Sequence, residues 1–128
     1  MSGVVVDTSV WIDFFAGRPV SSLEDALAHG AVVLPPLVVA ELVSGAWRRR
    51  DRAAIADLVE QIPLHDTPLD HWVRVGELRR ELLGRGISVS TPDAHVAQCA
   101  LDRGAVLLSR DDVFARVARF SRLQVRTG

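Results

Sequence analysis

Three short apolar runs, Val4-Val5-Val6, Ala31-Val32-Val33-Leu34 and Ala105-Val106-Leu107-Leu108, carry no polar residue at alternate positions. A strand with one wet face alternates apolar and polar side chains, so an unbroken run reads as a strand buried on both faces of a parallel sheet. Segments of helical periodicity lie between the runs, and strands alternating with helices give an α/β chain with a parallel, doubly wound sheet. Each run also leads into an acid. Asp7 follows the first directly, Glu41 lies just past the second and its Pro35-Pro36, and Asp111 follows the third through Ser109-Arg110. The carboxyl ends of parallel strands gather at one edge of the sheet, where ligands bind. Acids this far apart in sequence are expected to converge there, with Asp93 of Thr91-Pro92-Asp93 as the fourth.

The helices are marked by their ends. Thr8-Ser9 reads as the cap of a helical turn carrying Val10, Trp11, Ile12, Phe14 and Phe15, ended by Gly17 and Pro19. Ser21-Ser22-Leu23-Glu24 reads as a capping box for a helix to His29, with Gly30 as its stop. Pro36 suits the first turn of a third helix, whose stripe Val39, Leu42, Val43 and Trp47 leaves Glu41 free to face the site. A fourth helix runs from about Asp51 to Gln61, and Ile62 to Leu64 is a candidate edge strand. Thr67-Pro68-Leu69-Asp70 opens a long helix through Trp72, Val73, Leu78 and Leu82 to about Arg85. Thr91 is expected to cap the next helix, which Gly104 stops, and Asp112 to cap the last, Asp112 to Arg119, before a final strand at Leu123 to Val125. Trp11, Trp47 and Trp72 fall on apolar stripes and are expected in the core.

With 128 residues, 48% hydrophobic content and no repeat or linker, the chain is expected to form a single domain, residues 1–128. The sole cysteine, Cys99, excludes an internal disulfide and a cysteine-based zinc site, as suits a reducing cytoplasm; it reads as a small buried helix residue. Met1-Ser2-Gly3 has no basic signal-peptide flank, and the longest apolar run, Ala31 to Ala40, is interrupted by two prolines. All fifteen basic residues are arginine, with lysine, asparagine and tyrosine absent, the composition of a GC-rich bacterial genome. The formal net charge of −1 becomes +3 for the rest of the chain once the four acids are set aside as ligands, which leaves room for a modest nucleic-acid surface.

Carboxylates brought together raise one another's pKa and oppose folding unless neutralised. Oxygen donors favour Mg²⁺, with Mn²⁺ as substitute, and Mg²⁺ commonly borrows oxygens from a phosphate group. That pairing suits phosphodiester hydrolysis. The structural alternative makes each acid a separate helix cap. Asp13 is left outside the set as part of a solvated helix face. Arg48-Arg49-Arg50 reads either as an RNA phosphate contact or as a solvated helix end complementing its dipole, and Arg110 either as a substrate contact or as the partner of a neighbouring acid. His95 sits two residues past Asp93 on another helix face and reads as structural, and His29, His65 and His71 show no ligand spacing.

The ordered set Val4-Val5-Val6-Asp7-Thr8-Ser9, Pro36 to Glu41 with Leu42, Thr91-Pro92-Asp93 with Ala97, and Gly104-Ala105-Val106-Leu107-Leu108-Ser109-Arg110-Asp111 resembles the PIN-domain ribonucleases, and within them the VapC toxins of bacterial toxin–antitoxin pairs. The resemblance spans nearly the whole chain. It implies a three-layer α/β/α fold with a central parallel sheet of four to five strands, and a Mg²⁺-dependent endoribonuclease in which Asp7, Glu41, Asp93 and Asp111 hold the metal while the hydroxyls of Thr8, Ser9 and Ser109 orient the acids. It also implies a homodimer and a VapB-like antitoxin covering the site in a hetero-oligomer. Three other readings compete: a PIN nuclease of RNA processing or decay, a non-catalytic PIN-like scaffold, and a phosphatase or receiver domain. The last typically needs a lysine this chain lacks, and the intact acid set argues against the scaffold.

Overall fold

The computed structural model describes residues 3–46 and 48–127, so the place expected for Trp47 lies outside the described residues. Four strands, β1 (Val4–Val6), β2 (Val32–Val33), β3 (Val106–Leu108) and β4 (Gln124–Arg126), form one parallel sheet in the order β2-β1-β3-β4. Successive strand residues face opposite sides of a sheet. Val5 and Val6 are both fully buried, as are Leu107 and Leu108 to within 2%, so helices cover both faces. The expected edge strand at Ile62 to Leu64 is reduced to a single parallel bridge, Leu34 with Leu64, carried by hydrogen bonds from Leu34 N–H to the Pro63 carbonyl and from His65 N–H to the Leu34 carbonyl.

Among the described residues seven helices fill the connections: α1 (Thr8–Phe15), α2 (Ser21–Ala28), α3 (Pro36–Gly45), α4 (Arg49–Gln61), α5 (Leu69–Leu83), α6 (Thr91–Arg103) and α7 (Asp112–Ala118). From β1 the chain moves outward to β2, then returns through α3 to α6 and enters β3 on the other side of β1. The strand order therefore reverses between β1 and β3, the place where an open parallel sheet leaves a crevice beyond its strand ends. Val6 is paired with Leu108 across that line, and Asp7 N–H continues the ladder to the Leu108 carbonyl at 2.9 Å.

The core joins Val10, Trp11 and Leu23 from α1 and α2 to Val38, Leu42, Ile55, Val75 and Leu82, with α6 contributing an almost continuous buried run from Ala94 to Ala100. Three expected core positions lie outside it. Val43 is 58% exposed because α3 buries Val38 and Leu42, and Trp72 and Val73 of α5 are exposed because His71, Val75 and Leu82 occupy the inward stripe. Trp11 does enter the core, edge-on to Phe14 and stacked at 6.0 Å on Phe15.

Helix starts differ from expectation by about one residue, and for a physical reason. A cap residue commonly has extended dihedrals, as Asp7 does in place of Thr8 or Ser9, whereas α2 starts after Val20 rather than Ser21, with φ −133°, ψ 86° and no side-chain cap. Ser90, not Thr91, accepts the Asp93 N–H and caps α6. Asp111, not Asp112, caps α7 through Val113 N–H.

Candidate active site

At the line where β1 and β3 end, three side chains interlock. Asp7 is buried at the tip of β1. Its Oδ2 accepts hydrogen bonds from the Ser9 hydroxyl at 2.9 Å and from the Ser109 hydroxyl at 3.0 Å, the latter reaching across from the end of β3. Both serine oxygens are also acceptors: Ser109 Oγ takes the Asp111 N–H and Ser9 Oγ takes the Arg110 N–H, each at 3.0 Å. The tip of β1 and the β3–α7 turn are thus tied by four hydrogen bonds through two hydroxyls. With Oδ1 of Asp111 engaged as the α7 cap at 3.1 Å, neither of these carboxylates rotates freely.

Glu41 arrives from a different element. It projects from the second turn of α3 and is exposed, and its Oε1 accepts the Thr8 hydroxyl at 2.9 Å, linking α3 to the first turn of α1. Asp93 sits half-buried in the first turn of α6, where the positive helix end favours a carboxylate. Burial pushes the Asp93 carboxyl above its ordinary range. A Ser90 hydrogen bond opposes that shift, and the charges of Asp111, Asp7 and Glu41 reinforce it. All four acids expected to meet do share one electrostatic field, and that mutual repulsion is what a bound cation relieves. The donors are hard carboxylate oxygens, which fit a divalent ion of the magnesium or manganese kind.

Of the arginines singled out, Arg110 turns away from the acids to Asp13 at 3.1 Å, where Asp13 also pairs with Arg18 at 2.6 Å. These two guanidinium groups hold the Asp13 carboxyl below the usual range: the Arg18 hydrogen bond acts most strongly, desolvation opposes it, and the Arg110 hydrogen bond adds to the lowering. Arg49 and Arg50 open α4 rather than close a helix. A positive charge there opposes the helix dipole, so the expected dipole-complementing role is contradicted. Arg48 and Arg50 instead border a cavity of about 440 Å³ whose walls include Ile12, Phe15, Leu42 and Ile55 and which reaches Thr8 and Glu41. The acid cluster thus opens beside an apolar trough with a cationic rim.

A second polar cluster was not legible in the sequence. His65, His71 and Cys99 are all buried, and donor atoms from the three lie within 4.8 Å of one another, a proximity in space that the absence of ligand spacing in the sequence did not signal. Their sequence separations match no local ligand motif; the packing of α5 on α6 brings His71 to Cys99, and the segment after the Leu34–Leu64 bridge adds His65. His95 is fully buried, hydrogen-bonded to His71 at 2.8 Å and stacked parallel to the Trp72 ring at 4.8 Å.

A parallel α/β sheet with acids converging at its switch point defines the class. The chain belongs to the PIN-domain family, whose model matches residues 4–120. Among characterised relatives it is similar to ribonuclease VapC2 of Haemophilus influenzae, 27% identical over 84% of this chain and 85% of that protein. Among solved structures it resembles VapBC2 from Rickettsia felis bound to a promoter DNA fragment, with a TM-score of 0.78 at 20% identity over 98% of both chains. It also resembles VapBC-5 from Mycobacterium tuberculosis, a toxin–antitoxin system, with a TM-score of 0.69 at 25% identity over 97% of this chain and 96% of that one.

Proposed function

We propose that this chain is a Mg²⁺-dependent endoribonuclease, with Mn²⁺ as a substitute ion, acting in the cytoplasm as the toxin of a VapBC-type pair that inhibits translation and growth. The observation that carries this reading is the acid site itself: Asp7, held by two hydroxyls, together with Glu41, Asp93 and Asp111 at the sheet's switch point. The VapC name of the Haemophilus relative and the VapBC assemblies among the structural neighbours support the toxin half. Among the described residues no helix is long and apolar enough to cross a membrane.

Asp7, Glu41, Asp93 and Asp111 would hold the divalent ion. The chemistry such an ion supplies when bound is positive charge for the scissile phosphate and acidification of water. Ser9 and Ser109 fix the plane of the Asp7 carboxylate, Thr8 restrains Glu41, and the α7 cap fixes Asp111. The residues therefore arrive oriented, so little rearrangement accompanies reaction. Arg48 and Arg50 suit the phosphates flanking the cut, with Arg49 exposed beside them. A single-stranded segment reaches a recessed site more readily than a duplex does. The apolar trough is the surface we assign to a VapB-like antitoxin segment, and a homodimer within the toxin–antitoxin hetero-oligomer belongs to the same reading. The whole of residues 1–128 acts as one domain in it.

Purified protein should cleave single-stranded RNA in Mg²⁺ and stop on addition of EDTA. Asp7→Asn should reduce the rate by more than the roughly 100-fold typical of outer-shell changes. Cleavage by Asp7→Asn at the parental rate would remove Asp7 from the mechanism, and EDTA-insensitive cleavage would remove the metal. Expression should arrest growth, and co-expression of the neighbouring small antitoxin gene should relieve the arrest. Cleavage without arrest favours a role in RNA processing.

A further inference from the structure

We propose that the interior cluster of His65, His71 and Cys99 is a second metal site, taking one borderline-soft divalent ion of the Zn²⁺ type and separate from the carboxylate site. The three residues come from three elements: His65 follows the Leu34–Leu64 bridge, His71 lies in the first turn of α5, and Cys99 lies in the middle of α6. All are buried, with donor atoms within 4.8 Å of one another. His95, one helical turn before Cys99, places its Nδ1 2.8 Å from His71 Nε2 and 4.0 Å from Cys99 Sγ, and so stands where a fourth ligand is needed.

Two further observations point to a ligand. The first is an outer partner of the kind that orients metal-binding imidazoles. His71 Nδ1 meets Asp102 Oδ2 at 2.9 Å, which leaves Nε2 as the inward-facing acceptor. Asp102 is fixed in turn by both Arg74 nitrogens at 2.9 and 3.0 Å and by Gln98 at 2.8 Å. The second is an orphan: His65 is only 7% exposed, yet its Nδ1 is buried with no hydrogen-bond partner. A buried polar atom left unpaired opposes folding, a cost that coordination removes.

Tetrahedral zinc, with nitrogen at about 2.0 Å and sulfur at about 2.3 Å, spaces its ligand atoms roughly 3.3–3.6 Å apart. The His71–His95 contact must therefore open from 2.8 Å and the sulfur close from 4.0 Å, each by about half an ångström, while a separation as wide as 4.8 Å must close by about 1.2 Å or more through side-chain rotation. Imidazole and thiol donors select zinc or cobalt over magnesium. Coordination converts the Cys99 thiol to thiolate and releases its proton to solvent. At His95 the proton on Nδ1 moves to Nε2, whose long 3.5 Å contact with Leu37 N–H is given up.

The experiment uses tag-free, full-length protein stripped with chelator and titrated with Co²⁺. One Co²⁺ per chain should give intense tetrahedral d–d bands and a thiolate-to-cobalt charge-transfer band, both abolished by Zn²⁺. Asp7→Asn should leave this spectrum unchanged, so the result stands apart from the nuclease reading. Cys99→Ala should lose the charge-transfer band, and His65→Ala should weaken Co²⁺ binding by at least roughly 10-fold, with native circular dichroism confirming that each variant is folded. A parent protein with no thiolate–cobalt band overturns the site whatever the variants do. So does a band that persists in Cys99→Ala or vanishes in Asp7→Asn.

Discussion

Ser109 has two partners and one hydroxyl. It donates to Asp7 and accepts from the Asp111 backbone, so it sets the carboxylate at one strand end and the turn that presents the acid at the other. Ser109→Ala should reduce RNA cleavage by about 10- to 100-fold, the range for lost outer-shell partners, while Ser109→Thr keeps most of the rate. Single-turnover cleavage with saturating Mg²⁺ measures it, and an alanine variant at the parental rate would remove Ser109 from the positioning machinery. Asp7 and Asp111 were readable in the sequence because they follow apolar runs, Glu41 and Asp93 because they stand near helix starts, and the hydroxyls only through the family resemblance. His65, His71 and Cys99 were not, because nothing local separates a buried histidine awaiting a distant partner from one on a wet helix face. The choice between Asp111 and Asp112 as cap went wrong for a related reason: adjacent acids differ in backbone dihedrals, and composition does not carry those.

Whole helices were more legible than their first residues. Pro36 and Pro92 sit at the starts of α3 and α6, where a missing N–H costs nothing, and Gly104 ends α6 in a left-handed conformation at φ 63°. Ala in place of Gly104 would carry its Cβ into that conformation. Gly104→Ala should cost about 1 kcal/mol, read as a lower urea midpoint at unchanged slope. No change in midpoint would mean that the turn relaxes. Cap positions shift where the hydroxyls bond to site carboxylates instead of the helix backbone, as Thr8 and Ser9 follow the cap and turn to Glu41 and Asp7. The arginines of α4 show the same limit, since a charge run reads identically at either end of a helix and only the boundary decides whether the dipole welcomes it.

The parallel sheet itself was written plainly in its unalternated runs, whereas the strand order was not, since pairing depends on how long connections pack. Part of that packing is polar. Asp102 of α6 gathers Arg74 and His71 of α5, Gln98, and His65 at 3.7 Å. Burial pushes the Asp102 carboxyl up, but hydrogen bonds from Arg74, His71 and Gln98 outweigh it and hold it at about 2, against an ordinary value of 3.8. A depressed folded-state value means stability that is present above the unfolded value and lost as pH falls through the folded one. In metal-free protein, Asp102→Asn should therefore cost on the order of 2 kcal/mol at neutral pH. The gap to the parent should close between about pH 4 and pH 2. Urea denaturation across that range tests it, and a gap that widens on acidification would contradict the assignment.

The hydrogen bond from Ser109 to Asp7 joins residues 102 positions apart, and β3 is inserted beside β1 only after every intervening helix has been made. A chain still emerging from the ribosome has Asp7 long before it has anything to set beside it. Until Asp111 is translated and the two ends of the sequence meet, Asp7 and Asp111 cannot stand side by side, so the pairing of their strands is completed only late in synthesis.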